Sequence, residues 1–368
     1  MIVIMTSTNQ NNRLLSIDLA RGLAVFFMIA VHTLEVFANQ EVKNSVFGQI
    51  IAFLGGPPAA PVFMTLMGFS FIYSTKSELK PKLFRGFKIF LTGYLLNILR
   101  GVIPFSLASF MNMDIVKTFP LERLNEVTIL TLVDILQFAG IALMIMAVIQ
   151  AFKINKYVIL VSAFLISMIS PFLWGIKVGM PIIDQVLELF WGDQPIEFSF
   201  IANKIAFPVF PWFTFPLIGM FLGETVKNST DSNSTFNYVG IAGIVVVLIG
   251  GAISYNNFNY HFNDYYHSRQ GGMVFMCGFV LFWLYLTKLI FDHVPANRFF
   301  DVLFTWSKGV TNIYFVQWII IMWSIAIFGI NSSSFTTTTL LILAFTAVSH
   351  YSNELIIYFK NDAKELKT

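Results

Sequence analysis

Four ionisable residues fall within one strongly apolar stretch near the start of the chain: Asp18, Arg21, His32 and Glu35. On a helix, the step from Arg21 to His32 turns through about 1100°, roughly 20° past three full turns, so both share a face about 16 Å apart along the axis. Asp18 lies three residues before Arg21 and Glu35 three after His32, which keeps all four on one stripe. The stripe carries an acid–base ion pair towards one end and an imidazole–carboxylate pair, of the kind proton transfer uses, towards the other. Ionisable groups inside a membrane span are costly, and each is a functional-site hypothesis. Any one alone would be explained by neutralisation at the interface or a hydrogen bond to a neighbouring helix. Four on one stripe point to a face that lines a cavity.

The composition places that stripe in a membrane. Hydrophobic residues make up 56% of 368 and charged residues only 12%, where a soluble domain carries about 25% charged. Phenylalanine alone accounts for 41 residues, and the mean hydropathy is +0.72. A soluble enzyme and a disordered chain are excluded. A net charge of +3 is too small to steer a nucleic acid. The single cysteine, Cys277, excludes an internal disulfide framework and any multi-cysteine metal site.

Apolar runs of about 17–25 residues are long enough to cross a bilayer as helices. They predict an all-α polytopic protein, one domain over 1–368, with ten spans near 17–38, 58–75, 84–105, 129–152, 156–176, 207–226, 237–255, 271–291, 303–329 and 335–359. The first run is too long for a cleavable leader and carries Asp18 and Arg21 within it. With both termini cytoplasmic, fourteen Lys and Arg fall on the inside and six outside, the expected bias. An integral, multi-pass protein of the bacterial cytoplasmic membrane is the expected setting. The external connection 177–206 contains IIDQVLELFW (182–191), which reads as an amphipathic interfacial helix. KNSTDSNSTFN (227–237) reads as a polar loop.

Three further clusters bear on chemistry. LGGPPAAP (54–61) closes the first external loop, where helix-breaking residues free backbone groups. The N–H groups of Gly55 and Gly56 could polarise a carbonyl there, though a plain surface turn fits equally well. YNNFNYHFNDYYHSRQGG (255–272) gathers Asp264, Tyr265, Tyr266, His267 and Arg269, groups that stack on and hydrogen-bond sugars. His261 and His267 lack a third ligand, so no metal is expected. Arg100 and Asp134 fall in the outer halves of their spans and could pair across helices as structural glue. His350 and Glu354 read as a local interfacial pair, while Trp306, Asn312, Gln317 and Trp318 are candidates to line the central cavity.

RLLSIDLARGLAVFFMIAVH (13–32) resembles the opening of the transmembrane acyltransferases, which runs Arg, Asp, Arg-Gly, an apolar stretch, then His. It is most like that of bacterial relatives of heparan-α-glucosaminide N-acetyltransferase, whose His is similarly followed three residues on by an acid, here Glu35. PVFMTLMGFSFIYS (61–74), FPVFPWFTFPLIGMFLGE (207–224) and, more loosely, WSKGVTNIYFVQW (306–318) are similar to later helices of that family.

The resemblance implies transfer of an acyl group, acetyl above all, from cytoplasmic acyl-CoA to a hydroxyl or amine of an extracytoplasmic sugar or glycan. His32 would act as general base or as a transiently acylated nucleophile, and Glu35 would orient it. Arg21, paired with Asp18 at the cofactor site, would hold the CoA phosphates, with Lys308 a weaker phosphate candidate, and Gly55 and Gly56 would bind the thioester carbonyl. Arg85 and Lys88 are weaker phosphate candidates, better read as positive-inside anchors. Asp264, Tyr265, Tyr266, His267 and Arg269 would bind the acceptor. The loop 39–57 contains no histidine, so the animal enzyme's loop histidine has no counterpart there. Expected partners are the bilayer, acyl-CoA and the glycan, without nucleic acid; a homodimer is compatible with the sequence. The competing class is a transporter or flippase of a polar or sugar-linked substrate, whose intramembrane charges look similar.

Overall fold

A computed structural model describes residues 15–74, 78–113, 125–192 and 205–365. Of the cations weighed for orientation, Arg13, Lys76, Lys117, Arg123, Lys204 and Lys367 lie outside the described residues. Helix α1 (Leu15–Phe37) is uninterrupted by proline and ends against a clasp. There the Asn39 N–H donates to Ser333 O at 2.9 Å, and the Ser333 N–H to Phe37 O at 2.7 Å. Asn39 caps α2 (Gln40–Asn44) by accepting from the Val42 N–H, and Ser45 caps α3 (Val46–Gly55) by accepting from the Gly48 N–H. The chain then breaks at Gly56-Pro57-Pro58 and resumes as α4 (Ala60–Ile72), with Pro61 in its first turn, where a missing N–H costs nothing.

Helix α5 (Leu79–Asn97) widens into a π-turn, Ile98–Val102, before α6 (Ile103–Phe110). A short helix α7 (Glu126–Leu130) precedes α8 (Ile135–Ala151), which opens on a capping box formed by Asp134 and Gln137. Then come α9 (Lys156–Ile169), α10 (Pro181–Trp191), α11 (Val209–Trp212) and α12 (Thr214–Lys227). The rest comprises α13 (Ser232–Ser254), α14 (Phe258–Phe262), α15 (Gln270–His293), α16 (Arg298–Lys308), α17 (Val310–Phe328) and α18 (Phe335–Glu365). No strand occurs among the described residues beyond two isolated bridges, Ala38–Ser333 and Val133–Ile205.

Eight helical segments are long and apolar enough to cross a bilayer, and Ile135–Ala151 and Lys156–Phe172 are shorter apolar helices. Each of the ten predicted runs is therefore helical, and two need redrawing. The second begins at Val46, not near residue 58, because the Gly-Pro break lies inside a span Val46–Ile72 instead of ahead of it. The ninth splits at Gly309 into α16 and α17. The polar stretch 227–237 is only half a loop, since α13 begins at Ser232.

Helix α1 lies at the centre: 72% of its apolar window is buried, against 22% for Ser234–Ser254, which faces outwards. It packs against α3, α4, α15, α16, α17 and α18. Its two faces feed two cores, one through Ala20 and Ala24, the other through Val25, Met28 and Ile29. Lipid is as apolar as these side chains, so helix pairing leans on close backbone approach. Between α13 and α15, a Cβ on Gly278 would stand 2.8 Å from Gly243 O.

Candidate active site

His32 faces α17. Its Nδ1 lies 2.8 Å from the amide nitrogen of Gln317, and its ring sits 4.4 Å from that of Trp318, centroid to centroid. Gln317 and Trp318 are buried, at 0% and 1% exposure, so the imidazole is held by a rigid wall. Glu35 was the expected orienting group, but the partner of Nδ1 is Gln317. The Glu35 carboxylate instead borders the same cavity, and its backbone carbonyl accepts from Lys43 Nζ at 2.6 Å.

A buried ion pair stands beside the histidine. Arg100 Nη1 lies 2.7 Å from Asp134 Oδ2, and the Tyr314 hydroxyl donates to the same oxygen at 2.6 Å. Arg100 projects from the π-turn, donates to Asn97 Oδ1 at 3.0 Å, and its guanidinium lies 4.9 Å from the centre of the Trp318 ring. Asp134 also accepts from the Ile135 N–H at 2.7 Å, so its charge is satisfied from three sides. The pairing expected as structural glue is present, and it opens onto the histidine's cavity.

That cavity, about 270 Å³, is bounded by His32, Glu35, Gly55, Gly56, Asp134, Phe207, Tyr265, Tyr266 and Tyr314. The Gly56 N–H is not free to polarise a carbonyl, because it donates to Phe53 O at 3.1 Å. Gly56 contributes its own carbonyl to the wall, which accepts from the Tyr265 hydroxyl at 3.2 Å. Burial, and then the Glu35 charge, push the pKa of Tyr265 up, so the phenol remains a donor.

Of the five acceptor-binding candidates, only Tyr265 and Tyr266 border this cavity. Asp264 instead builds the turn that presents them, accepting from the Tyr266 N–H at 2.8 Å and pairing with His267 Nδ1 at 2.9 Å. Burial alone would raise the Asp264 pKa. The His267 contact and the backbone donors outweigh it and hold that carboxyl below the usual range. His267 packs edge-on against Trp174, and Arg269 stacks over Tyr260 at 4.2 Å.

At the other end of α1, a larger cavity of about 460 Å³ is bordered by Arg21, Ser70, Arg85, Ser307, Lys308 and Thr311, among others. Arg21 donates to Ser70 Oγ at 2.6 Å, Ser307 Oγ at 3.3 Å and Leu66 O at 3.3 Å. Asp18 does not border the cavity. It is 3% exposed and stands behind Arg21, accepting from Ser307 Oγ at 2.6 Å. Arg85 belongs to the cavity wall, whereas Lys88 lies over the Phe84 ring. Met28, Phe63, Ile135 and Tyr314 border both cavities, which therefore abut end to end.

Among the other candidates, Trp306 Nε1 donates to His350 Nδ1 at 3.0 Å. The ring nitrogen of His350 is thus engaged by α16, where the sequence suggested pairing with Glu354. Asn312 donates to Asn353. No group of three or more metal-ligating side chains occurs among the described residues.

Residues 13–260 match the catalytic family of heparan-alpha-glucosaminide N-acetyltransferase. The chain belongs to this family. It is a polytopic member of a family of membrane acetyltransferases. No curated protein matches the chain. In this heparan-alpha-glucosaminide N-acetyltransferase relative, the matched segment carries α1, the broken α3–α4 span and the Arg100–Asp134 pair, while Tyr265, Lys308, Tyr314 and Gln317 lie beyond it. Sequence reasoning passed over Tyr314 and took Asp134 for glue alone. The signal in the sequence was a phenol and an amide three residues apart on a mostly apolar helix, α17.

Proposed function

We propose that this protein moves an acetyl group from acyl-CoA, engaged at the Arg21 end of α1, to a hydroxyl or amine of a sugar held at the His32 end. The observation that carries the reading is the end-to-end contact of the two cavities at Met28, Phe63, Ile135 and Tyr314. A long, flexible polyanionic donor suits that layout. Arg21, Arg85 and Lys308 supply the positive charge for its phosphates, and its thioester reaches the residues that both cavities share, beside Tyr314. Asp18 and Ser307 hold Arg21 in place from behind.

His32 is the general base. It takes the acceptor's proton while the acceptor's oxygen or nitrogen bonds to the acyl carbon. The carbon–sulfur bond then breaks, and the imidazolium returns the proton to the departing thiolate. Glu35, Tyr265 and Tyr266 provide a carboxylate, a phenol donor and aromatic faces for the acceptor. With the Arg21 end cytoplasmic, as the Lys and Arg bias favours, donor and acceptor occupy opposite sides of the membrane. Expected partners beyond the two substrates are the lipids around it.

Purified protein given radiolabelled acetyl-CoA and amino-sugar acceptors should form acetylated product, and His32→Ala should abolish turnover while acetyl-CoA still binds. Movement of sugar across proteoliposomes without acetylation would overturn the reading.

A further inference from the structure

Gln317 is fully buried on α17, and its amide nitrogen is the atom that meets His32 Nδ1, at 2.8 Å. The other amide atom, Oε1, is buried without a hydrogen-bond partner. Amide oxygen and nitrogen have nearly the same size, so a half-turn about the Cγ–Cδ bond exchanges them without displacing a neighbour. The two orientations are not equivalent for the imidazole. With the amide nitrogen facing it, Nδ1 must accept, the ring proton sits on Nε2, and that nitrogen has no lone pair to receive a proton. With Oε1 facing it, Nδ1 carries the proton and donates, and Nε2 holds the lone pair. Because Oε1 has no bond to lose, the half-turn breaks only the contact at Nδ1, which re-forms as Nδ1–H···Oε1.

We infer that Gln317 is the positioning residue that sets the tautomer of His32, its carbonyl oxygen holding Nδ1–H so that Nε2 is the nitrogen that takes the acceptor's proton. This inference rests on the general-base reading above. During transfer the acceptor's proton moves to Nε2, the freed pair bonds to the acyl carbon, the carbon–sulfur pair leaves with sulfur, and Nε2–H reprotonates the thiolate. The Nδ1 proton stays on its nitrogen throughout, donated to the Gln317 oxygen. The imidazolium has two N–H groups, and only the carbonyl orientation accepts the second; an amide nitrogen there would oppose N–H to N–H. Of the two carboxylates on this cavity, Asp134 is engaged by Arg100 and Tyr314, and Glu35 is not the group that meets Nδ1. A neutral amide orients the ring without a further buried charge.

Two measurements test this. In wild-type protein labelled with 15N-histidine, the His32 signals, assigned by their loss in His32→Ala, should report a neutral ring protonated at Nδ1; a ring protonated only at Nε2 overturns the inference. In kinetics, Gln317→Leu should lower kcat by about 100-fold, the size of a general-base contribution, without raising KM for acetyl-CoA. Gln317→Glu, which keeps an oxygen facing Nδ1, should recover part of the loss. Wild-type kcat in Gln317→Leu overturns the role of Gln317 while an inactive His32→Ala leaves the base in place. Full activity in His32→Ala removes the base itself. Should Gln317→Leu fail to fold, the labelled wild-type spectrum decides alone.

Discussion

A carboxylate can stay ionised inside a bilayer only where its charge is compensated, and for Asp134 that compensation is Arg100 at 2.7 Å, reinforced by the Tyr314 hydroxyl. Removing one partner strands the other. Asp134→Asn should therefore destabilise the protein by about 3–5 kcal/mol, whereas Asp134→Leu combined with Arg100→Met should cost well under the sum of the singles. Unfolding in detergent of Asp134→Asn, Asp134→Leu, Arg100→Met and the double variant measures this, and additive costs would mean the pair is not a unit. At this scale the sequence speaks clearly along one helix and poorly between helices. The rotation from Arg21 to His32 follows from helical geometry alone, and both residues do face cavities. The Nδ1 partner could not be read the same way, because Gln317 is brought to His32 by packing over a separation of 285 residues. Glu35 was expected to orient the ring from its spacing and from the family resemblance, whereas the group that meets Nδ1 is Gln317.

At the scale of elements, the break at Gly56-Pro57-Pro58 decides where the chain can come close to the histidine. Its loss of helical N–H donors was evident from composition, and placing it outside the membrane followed from treating IIAFLG as loop. Ser45 instead caps those residues into α3, so the break falls within the span, against the cavity that tolerates it. Gly55 closes α3 where a Cβ would run into the Val31 side chain, one residue before His32. Gly55→Ala should thus lower stability by about 1–3 kcal/mol through overpacking, and acetyl transfer should fall with it as α1 is pushed aside. Adding Val31→Ala should restore both, measured by thermal unfolding and turnover. A double variant as impaired as Gly55→Ala would show that some feature other than this close approach accounts for the glycine. The divided α16–α17 teaches the same lesson. The apolar run predicted over 303–329 crosses Ser307-Lys308-Gly309, and there α16 turns Leu303 onto Gly22 of α1 and Ser307 onto Asp18, so that segment serves the Arg21 cavity and not only the lipid boundary.

Over the whole molecule, the ten apolar runs and the stripe on α1 announce a helical membrane protein organised around its first span. That stripe also announced a cavity along α1, but not its other walls, since each cavity is enclosed by side chains from several distant elements. Their arrangement makes a prediction that neither end makes alone. If one cavity receives the donor and the other the acceptor, bulk placed in each should affect one substrate only. Ser70 borders the Arg21 cavity and accepts from Arg21, and Ala52 borders the His32 cavity, as do Tyr265 and Tyr266. Ser70→Trp should raise KM for acetyl-CoA by roughly 10-fold or more, the effect of about 1.4 kcal/mol of lost binding, and leave the acceptor's KM nearly unchanged. Ala52→Trp should do the reverse. Steady-state kinetics with each substrate varied separately measures both. A reversed pattern would assign the cavities the other way round, and matched rises in both constants would mean that donor and acceptor share a single chamber, with no division of labour along α1.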